Sequence, residues 1–135
     1  MRYCVVALGG HRMKSAALRA ACDEYLSRIR HYAKIEEART LRAESSRLIA
    51  LAQHGEPWTS EHLADLTARW DMEGRDVTFA IGDADGLPDN ILKQAERRWS
   101  LGPLTLPHEL ARVIVYEQLY RAYTIRRGEK YHRGS

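Results

Sequence analysis

A chain of 135 residues, 44% of them apolar and 29% charged, has the length and balance of a single soluble domain with one sizeable core. This excludes a disordered chain, a collagen-like repeat and a disulfide-stapled miniprotein, and no apolar run approaches the roughly 20 residues of a membrane helix. The net charge of +3 hides a segregation, with 10 Lys/Arg against 5 Asp/Glu in residues 1–55, 2 against 9 in residues 56–89 and 9 against 4 in residues 90–135, a pattern that fits either an anionic partner on one face or ordinary solvated helix faces.

Residues 3–8 form a continuous apolar run ending in Gly9-Gly10, which predicts a buried strand and a turn. The run is too short for a secretory signal, since His11-Arg12 follow where a hydrophobic stretch would continue. Ser15 opens a helix with an apolar stripe at Leu18, Ala21, Cys22, Tyr25, Leu26 and Ile29. Cys4 and Cys22 both fall in apolar patterns, which predicts two reduced core thiols in a cytosolic protein. Residues 33–38 give a weak strand, residues 39–47 a polar stretch, and residues 48–52 a short strand stopped by Gly55 and Pro57. Thr59 or Ser60 caps a helix with Glu61 in its first turn, buried along Leu63, Leu66 and Trp70 and ended by Gly74. Val77–Ile81 is the clearest strand, followed by a glycine- and aspartate-bearing loop over residues 82–86. A helix then runs from Pro88 or Asp89 to about Arg98, a short strand over residues 99–101, and Gly102-Pro103 breaks the chain. Pro107 suits the first turn of a long final helix with Leu110, Val113, Ile114 and Tyr123 on one face and Gly128 beyond its end.

Strands alternating with helices predict an α/β domain with a largely parallel sheet and helices on both faces. In such sheets ligands bind beyond the carboxyl ends of strands, here the loops after Leu51, Ile81 and Leu101. The phosphate-loop, dinucleotide-fold and zinc-protease motifs are missing, and the six histidines are scattered without zinc spacing. Asp83, Asp85 and Asp89 lack the later glutamate of a calcium loop and read as a turn and a helix start.

Several segments together resemble one family. They are Val5-Val6-Ala7-Leu8-Gly9, Gly55-x-Pro57-Trp58, Arg69-Trp70-x-x-x-Gly74-Arg75-Asp76-Val77, Ile81-Gly82-x-x-x-Gly86-Leu87, Trp99-Ser100-Leu101-x-x-Leu104-Thr105-Leu106-Pro107-His108, Arg112-Val113, Glu117-Gln118-x-Tyr120-Arg121-Ala122 and Tyr131-His132-Arg133. In that order they resemble the RlmH family of SPOUT-class methyltransferases, which use S-adenosylmethionine to methylate N3 of a pseudouridine in large-subunit ribosomal RNA. The resemblance implies one SPOUT domain with a C-terminal trefoil knot, the knot and cofactor site falling in roughly residues 77–127 and a functional tail in residues 128–135. It implies cofactor contacts at Leu51, Gly82, Leu101, Gly102, Pro103, Leu104, Thr105 and Leu106. An adenine needs an apolar slot with backbone groups at its edge, which the leucines would supply, although leucines also make ordinary core and Gly82 an ordinary turn.

A sulfonium methyl is already electrophilic, so the expected chemistry needs no metal, only alignment and the removal of one imide proton. By resemblance to the family's ending, Tyr131, His132 and Arg133 are the catalytic candidates: a ring to stack on a flipped-out base, a group titrating near neutrality and a fixed cation. A frayed tail is the alternative, and His108 is a second histidine candidate. The resemblance further implies a cytoplasmic homodimer packed on the final helix and a substrate in the assembled ribosome, with no membrane partner. Arg112, Arg121, Arg126, Arg127 and Lys130 would meet RNA phosphates.

Three positions depart from the family pattern. Asp83 replaces the second glycine after Ile81, and Ala52 replaces an aspartate after Leu51. Residues 39–47 are also shorter than the dozen or so of a parallel crossover, so that a helix has been trimmed or residues are missing from the chain. A non-catalytic RNA- or ribosome-binding protein with a decayed cofactor pocket is the rival reading; a SPOUT enzyme acting on transfer RNA is disfavoured for want of an extra RNA domain.

Overall fold

The computed structural model of the chain describes residues 1–41 and 46–134. Five strands, β1 (Arg2–Ala7), β2 (Lys34–Ala38), β3 (Arg47–Pro57), β4 (Val77–Ile81) and β5 (Arg97–Ser100), pair in parallel in the order β2-β1-β4-β3-β5. The helices are α1 (Ala16–Ile29), α2 (Ser60–Glu73), α3 (Asp89–Gln94) and α4 (His108–Arg126), with a final 3₁₀ turn at His132–Gly134. The α/β architecture with a parallel sheet is therefore as the alternating pattern requires.

Strand alternation divides the sheet into two unequal faces. Tyr3, Val5, Ile35, Ile49, Val77, Phe79 and Ile81 form the main core with α1, α2 and α4, which all lie on that side. On the other face Ala50 and Ala80 meet only Leu87 and a shell of partly buried residues including Ile91 and Leu92 of α3. Helices flank both faces, but among the described residues the second face carries one helix of six residues. Residues 42–45 of the short β2–β3 connection lie outside the described residues, and with them the question of a trimmed helix.

Helix ends follow local chemistry. The Ser15 hydroxyl accepts from the Leu18 amide and the Thr59 hydroxyl from the His62 amide, so each satisfies a donor that the first turn leaves over. Gly74, at φ 76°, closes α2 in a left-handed conformation that a side chain would strain.

Two boundaries and one buried face differ from expectation. Strand β3 runs on through Gly55 to Pro57, because β5 pairs with it on both sides of a bulge: Leu51 and Glu56 both face Trp99. Gly55 is a close approach, where an added Cβ would lie 2.5 Å from the Arg98 carbonyl oxygen. Helix α3 stops at Gln94, since the Glu96 amide donates to the Leu48 carbonyl (2.8 Å) and the chain joins the sheet early. The buried residues of α4 are Arg112, Val115, Tyr116, Leu119, Ala122, Tyr123 and Thr124. Of the expected face only Tyr123 is buried; Leu110, Val113 and Ile114 are half-exposed.

Neither cysteine is in a disulfide among the described residues; burial pushes the Cys22 thiol up to about 11, while Cys4 is only half-buried.

Candidate functional site

The β3 bulge, the turn after β4 and the irregular stretch after β5 meet at the carboxyl edge of the sheet. They line a pocket of about 170 Å³ that is open to solvent. Its walls include Leu51, Gly82, Leu101, Gly102, Leu104, Thr105 and Leu106, so seven of the eight expected cofactor residues line one space. Pro103, the eighth, does not line it, and its carbonyl accepts a hydrogen bond from the side chain of Gln53, which does (3.0 Å). Trp99 and Ile81 add apolar surface, and Ala52, Gln53, Asp83, Gly86, His108 and Ala111 complete the wall.

Each part of this wall is held in place. The Ser100 hydroxyl donates to the Gln53 carbonyl (2.9 Å), tying the end of β5 to the bulge. It also accepts from the Gly102 amide (3.1 Å), which starts the turn into residues 103–106. Gly82 lines the pocket and is also required by the turn after β4. An added Cβ would meet the backbone of the turn, 2.7 Å from the Leu87 nitrogen and 2.8 Å from the Gly86 oxygen. The glycine permits the chain to fold back on itself, and Gly86, at φ 80°, completes that turn. Asp83 belongs to the same turn: its Oδ1 accepts from the Asp85 amide (2.9 Å) and its carbonyl from the Gly86 amide (2.9 Å). The departure at Asp83 thus builds the loop, and Ala52 stands on the wall beside Gln53.

The tail forms a second cluster. Tyr131 donates to Glu117 Oε2 (2.8 Å), and its ring meets Tyr120 edge-on at 4.7 Å with the Arg121 guanidinium 4.7 Å from its centre. Burial first, then its hydrogen bonds, raise the Tyr131 hydroxyl above the usual tyrosine range. Arg121 Nη1 lies 3.0 Å from His132 Nδ1, and Glu61 Oε1 lies 2.6 Å from His132 Nε2. An arginine can only donate, so Nδ1 accepts and the ring proton sits on Nε2, donated to Glu61. Arg133 is exposed. The three tail residues are brought together, docked on α4 and on the start of α2. Ala111, on the pocket wall, and Arg121, under the tail, are ten residues apart on α4, about 15 Å along its axis. Between them runs a groove lined by Trp58, Ser60, Leu101, Gly102, Ile114 and Gln118.

Residues 33–132 match a family model described as predicted SPOUT methyltransferase. The chain is 43% identical over 145 aligned positions to ribosomal RNA large subunit methyltransferase H of Sorangium cellulosum (strain So ce56), covering 97% of this chain and 99% of that protein. The chain belongs to the RlmH family of SPOUT methyltransferases. It is also 51% identical over 90 residues to the protein of the same name from Polynucleobacter asymbioticus (strain DSM 18221 / CIP 109841 / QLW-P1DMWA-1), a match that takes in 67% of this chain and 61% of that one. A probable methylase family protein from Haemophilus influenzae Rd KW20 shares the fold, with a TM-score of 0.65 at 10% identity over 96% of this chain and 69% of its own.

In this RlmH-family chain the cations expected on RNA are not equivalent. Arg112 has to be withdrawn from that role. It is 1% exposed and donates inward to Glu37 Oε2 (2.5 Å) and to the His11 carbonyl (3.0 Å). The Arg121 guanidinium is spent on Glu117 and His132, and that of Arg126 is paired with Asp71 at 2.6 Å. Arg127, 5.0 Å from the Tyr32 ring centre, and Lys130 remain exposed. Sequence reasoning gave no role to Gln53, Glu61, Glu117 or Gln118. The last two stand inside the family-like Glu117-Gln118 segment, which was the available signal; Gln53 and Glu61 carried none.

Proposed function

We propose that this methyltransferase transfers a methyl group from S-adenosylmethionine to N3 of a pseudouridine in large-subunit ribosomal RNA. The observation that supports this best is the apolar pocket at the carboxyl ends of β3, β4 and β5, built from the residues that carry the resemblance. Its four leucines and Trp99 suit an adenine. The chain between Gly102 and Pro107 forms no regular structure, which leaves backbone groups near the ligand's edge. When bound, the cofactor would supply an electrophilic methyl. The protein's own work is to hold the target base in line with it, exclude water and dispose of one proton.

Tyr131, His132 and Arg133 are the groups we assign to the target base. In one protomer they lie at the far end of α4 from the pocket, so the reading includes a homodimer in which a second copy supplies its tail. Leu104, 74% exposed beside the pocket, and the half-exposed Leu110, Val113 and Ile114 of α4 are the surfaces such a partner would cover. With Arg121 on His132 Nδ1, the imidazole lone pair is engaged; for His132 to take the imide proton, that contact has to open, whereas Arg133 is already a free cation for charge growing on the base oxygens. Arg127 and Lys130 would hold phosphates without reading sequence. The trefoil knot over roughly residues 77–127, the assembled ribosome as substrate and the cytoplasm as location belong to the same reading.

The deciding experiment is methyl transfer from labelled S-adenosylmethionine to ribosomes from cells lacking this gene, with mass spectrometry of the recovered RNA. One added methyl on one pseudouridine is expected. Binding of ribosomes without any transfer would favour the non-catalytic alternative.

A further inference from the structure

The loop of residues 8–15, between β1 and α1, lies against the pocket from outside. At Gly9, whose φ is +75°, an added Cβ would be 2.7 Å from Asp83 Oδ2; at Gly10 it would be 3.2 Å from His108 Cδ2. Both neighbours belong to the pocket wall. The two glycines therefore let this backbone pack directly against two side chains of the pocket wall.

Two side chains one turn apart on α4 hold the loop there. Arg112 donates from Nη1 to the carbonyls of His11 (3.0 Å) and Gly10 (3.4 Å). Glu109 accepts from the amides of Lys14 (3.0 Å) and Ser15 (3.1 Å), which keep its carboxyl below the usual range. Arg112 is itself fixed by Glu37, which also accepts from the Tyr116 hydroxyl (2.6 Å) and pairs with Arg19 (3.1 Å). A buried guanidinium is a costly way to fill a core, and here it fastens a loop. The loop presents Arg12 and Lys14 to solvent, and no acidic residue occurs between Leu8 and Cys22.

We propose that this loop is a phosphate-contacting rim of the pocket, with Arg12 and Lys14 gripping the backbone of the RNA strand that bears the target base, and with Arg112 and Glu109 as positioning residues that hold the rim in place. The inference rests on the RNA-methylating function proposed for the same pocket and deepens it. Long, flexible cations suit backbone contacts rather than base readout.

The test uses the full chain with Arg12→Gln/Lys14→Gln, and measures both cofactor binding and the binding of large ribosomal subunits from cells lacking the gene across a salt series. S-adenosylmethionine affinity should stay within twofold of the parent. The dissociation constant for subunits should rise at least tenfold, and its logarithmic salt slope should fall by about one to two, near 0.9 for each phosphate no longer neutralised. A matched removal of two charges at the other end of the molecule, Lys34→Gln/Arg69→Gln, should change neither. An Arg12→Gln/Lys14→Gln protein with the parental salt slope overturns the proposal. So does one whose only defect is a failure to dimerise, seen by sedimentation. If the parent itself binds neither the cofactor nor subunits, it is the underlying functional reading that has failed. For positioning, Glu109→Ala should raise KM for subunits severalfold more than it lowers kcat, and Glu109→Gln, which keeps one acceptor oxygen for the two amides, should restore only part of the loss. Equal KM in the alanine variant and the parent removes Glu109 from the role.

Discussion

Replacing Gly82 by alanine tests the packing of the turn that shapes the pocket. The new Cβ would meet backbone atoms on the far side of the turn, 2.7 Å from the Leu87 nitrogen and 2.8 Å from the Gly86 oxygen. Backbone cannot rotate away as a side chain can, so the turn must open by several tenths of an ångström. Overpacking of this kind costs about 1–3 kcal/mol. At about 2.1 cal/mol/K per residue of unfolding entropy, a chain of 135 residues loses about 3–4 °C of Tm per kcal/mol, so a fall of about 3–10 °C is expected. Because Gly86 is part of the pocket wall, the displaced turn should also weaken S-adenosylmethionine binding, by at least tenfold on calorimetric titration. Gly86 gives the contrast. Nothing lies within 4 Å of its added Cβ, but its φ is +80°, so Gly86→Ala should be strained while Gly86→Asn recovers much of the stability. No polar substitution should rescue Gly82. A Gly82→Ala protein with parental Tm and parental affinity would refute the packing argument outright.

Glu37→Gln should lower Tm by roughly 10 °C at neutral pH, since a pair with a partner only 1% exposed loses about 3 kcal/mol when broken. Burial pushes the Glu37 carboxyl up, but the Tyr116 hydroxyl, Arg112 and Arg19 outweigh it and leave it below its ordinary value. Its stabilisation is therefore present above about pH 4 and lost as the pH falls through the native value, so the gap between parent and variant should close on acidification; a constant gap contradicts this. Deleting residues 131–133 should leave cofactor affinity unchanged and reduce methyl transfer by orders of magnitude, and a parental rate would shift attention to His108. Ile114→Asp should sediment as a monomer, because a carboxylate would be buried without a partner; a parent that is monomeric at micromolar concentration disproves the interface.

What the sequence determines by itself here is what local chemistry fixes. Ser15, Thr59 and Gly74 mark helix ends because capping involves only neighbours in the chain, and Val77–Ile81 reads as a buried strand because all five of its residues are apolar or β-branched. Three of the four pocket leucines, Leu101, Leu104 and Leu106, stand in the ordered motifs, and the structure gathers them with Leu51 because the strand ends of a parallel sheet converge at one edge. Other features depend on contacts between distant segments, which no local pattern encodes. Strand β3 passes Gly55 only because β5 pairs on both sides of its bulge, and the inner face of α4 is set by which residues meet α1, α2 and the sheet. Arg112 has the same composition and helical position as a surface cation. The sheet places Glu37 beneath it and the β1–α1 loop beside it, and those partners, 75 and about 100 residues away in the chain, turn it inward.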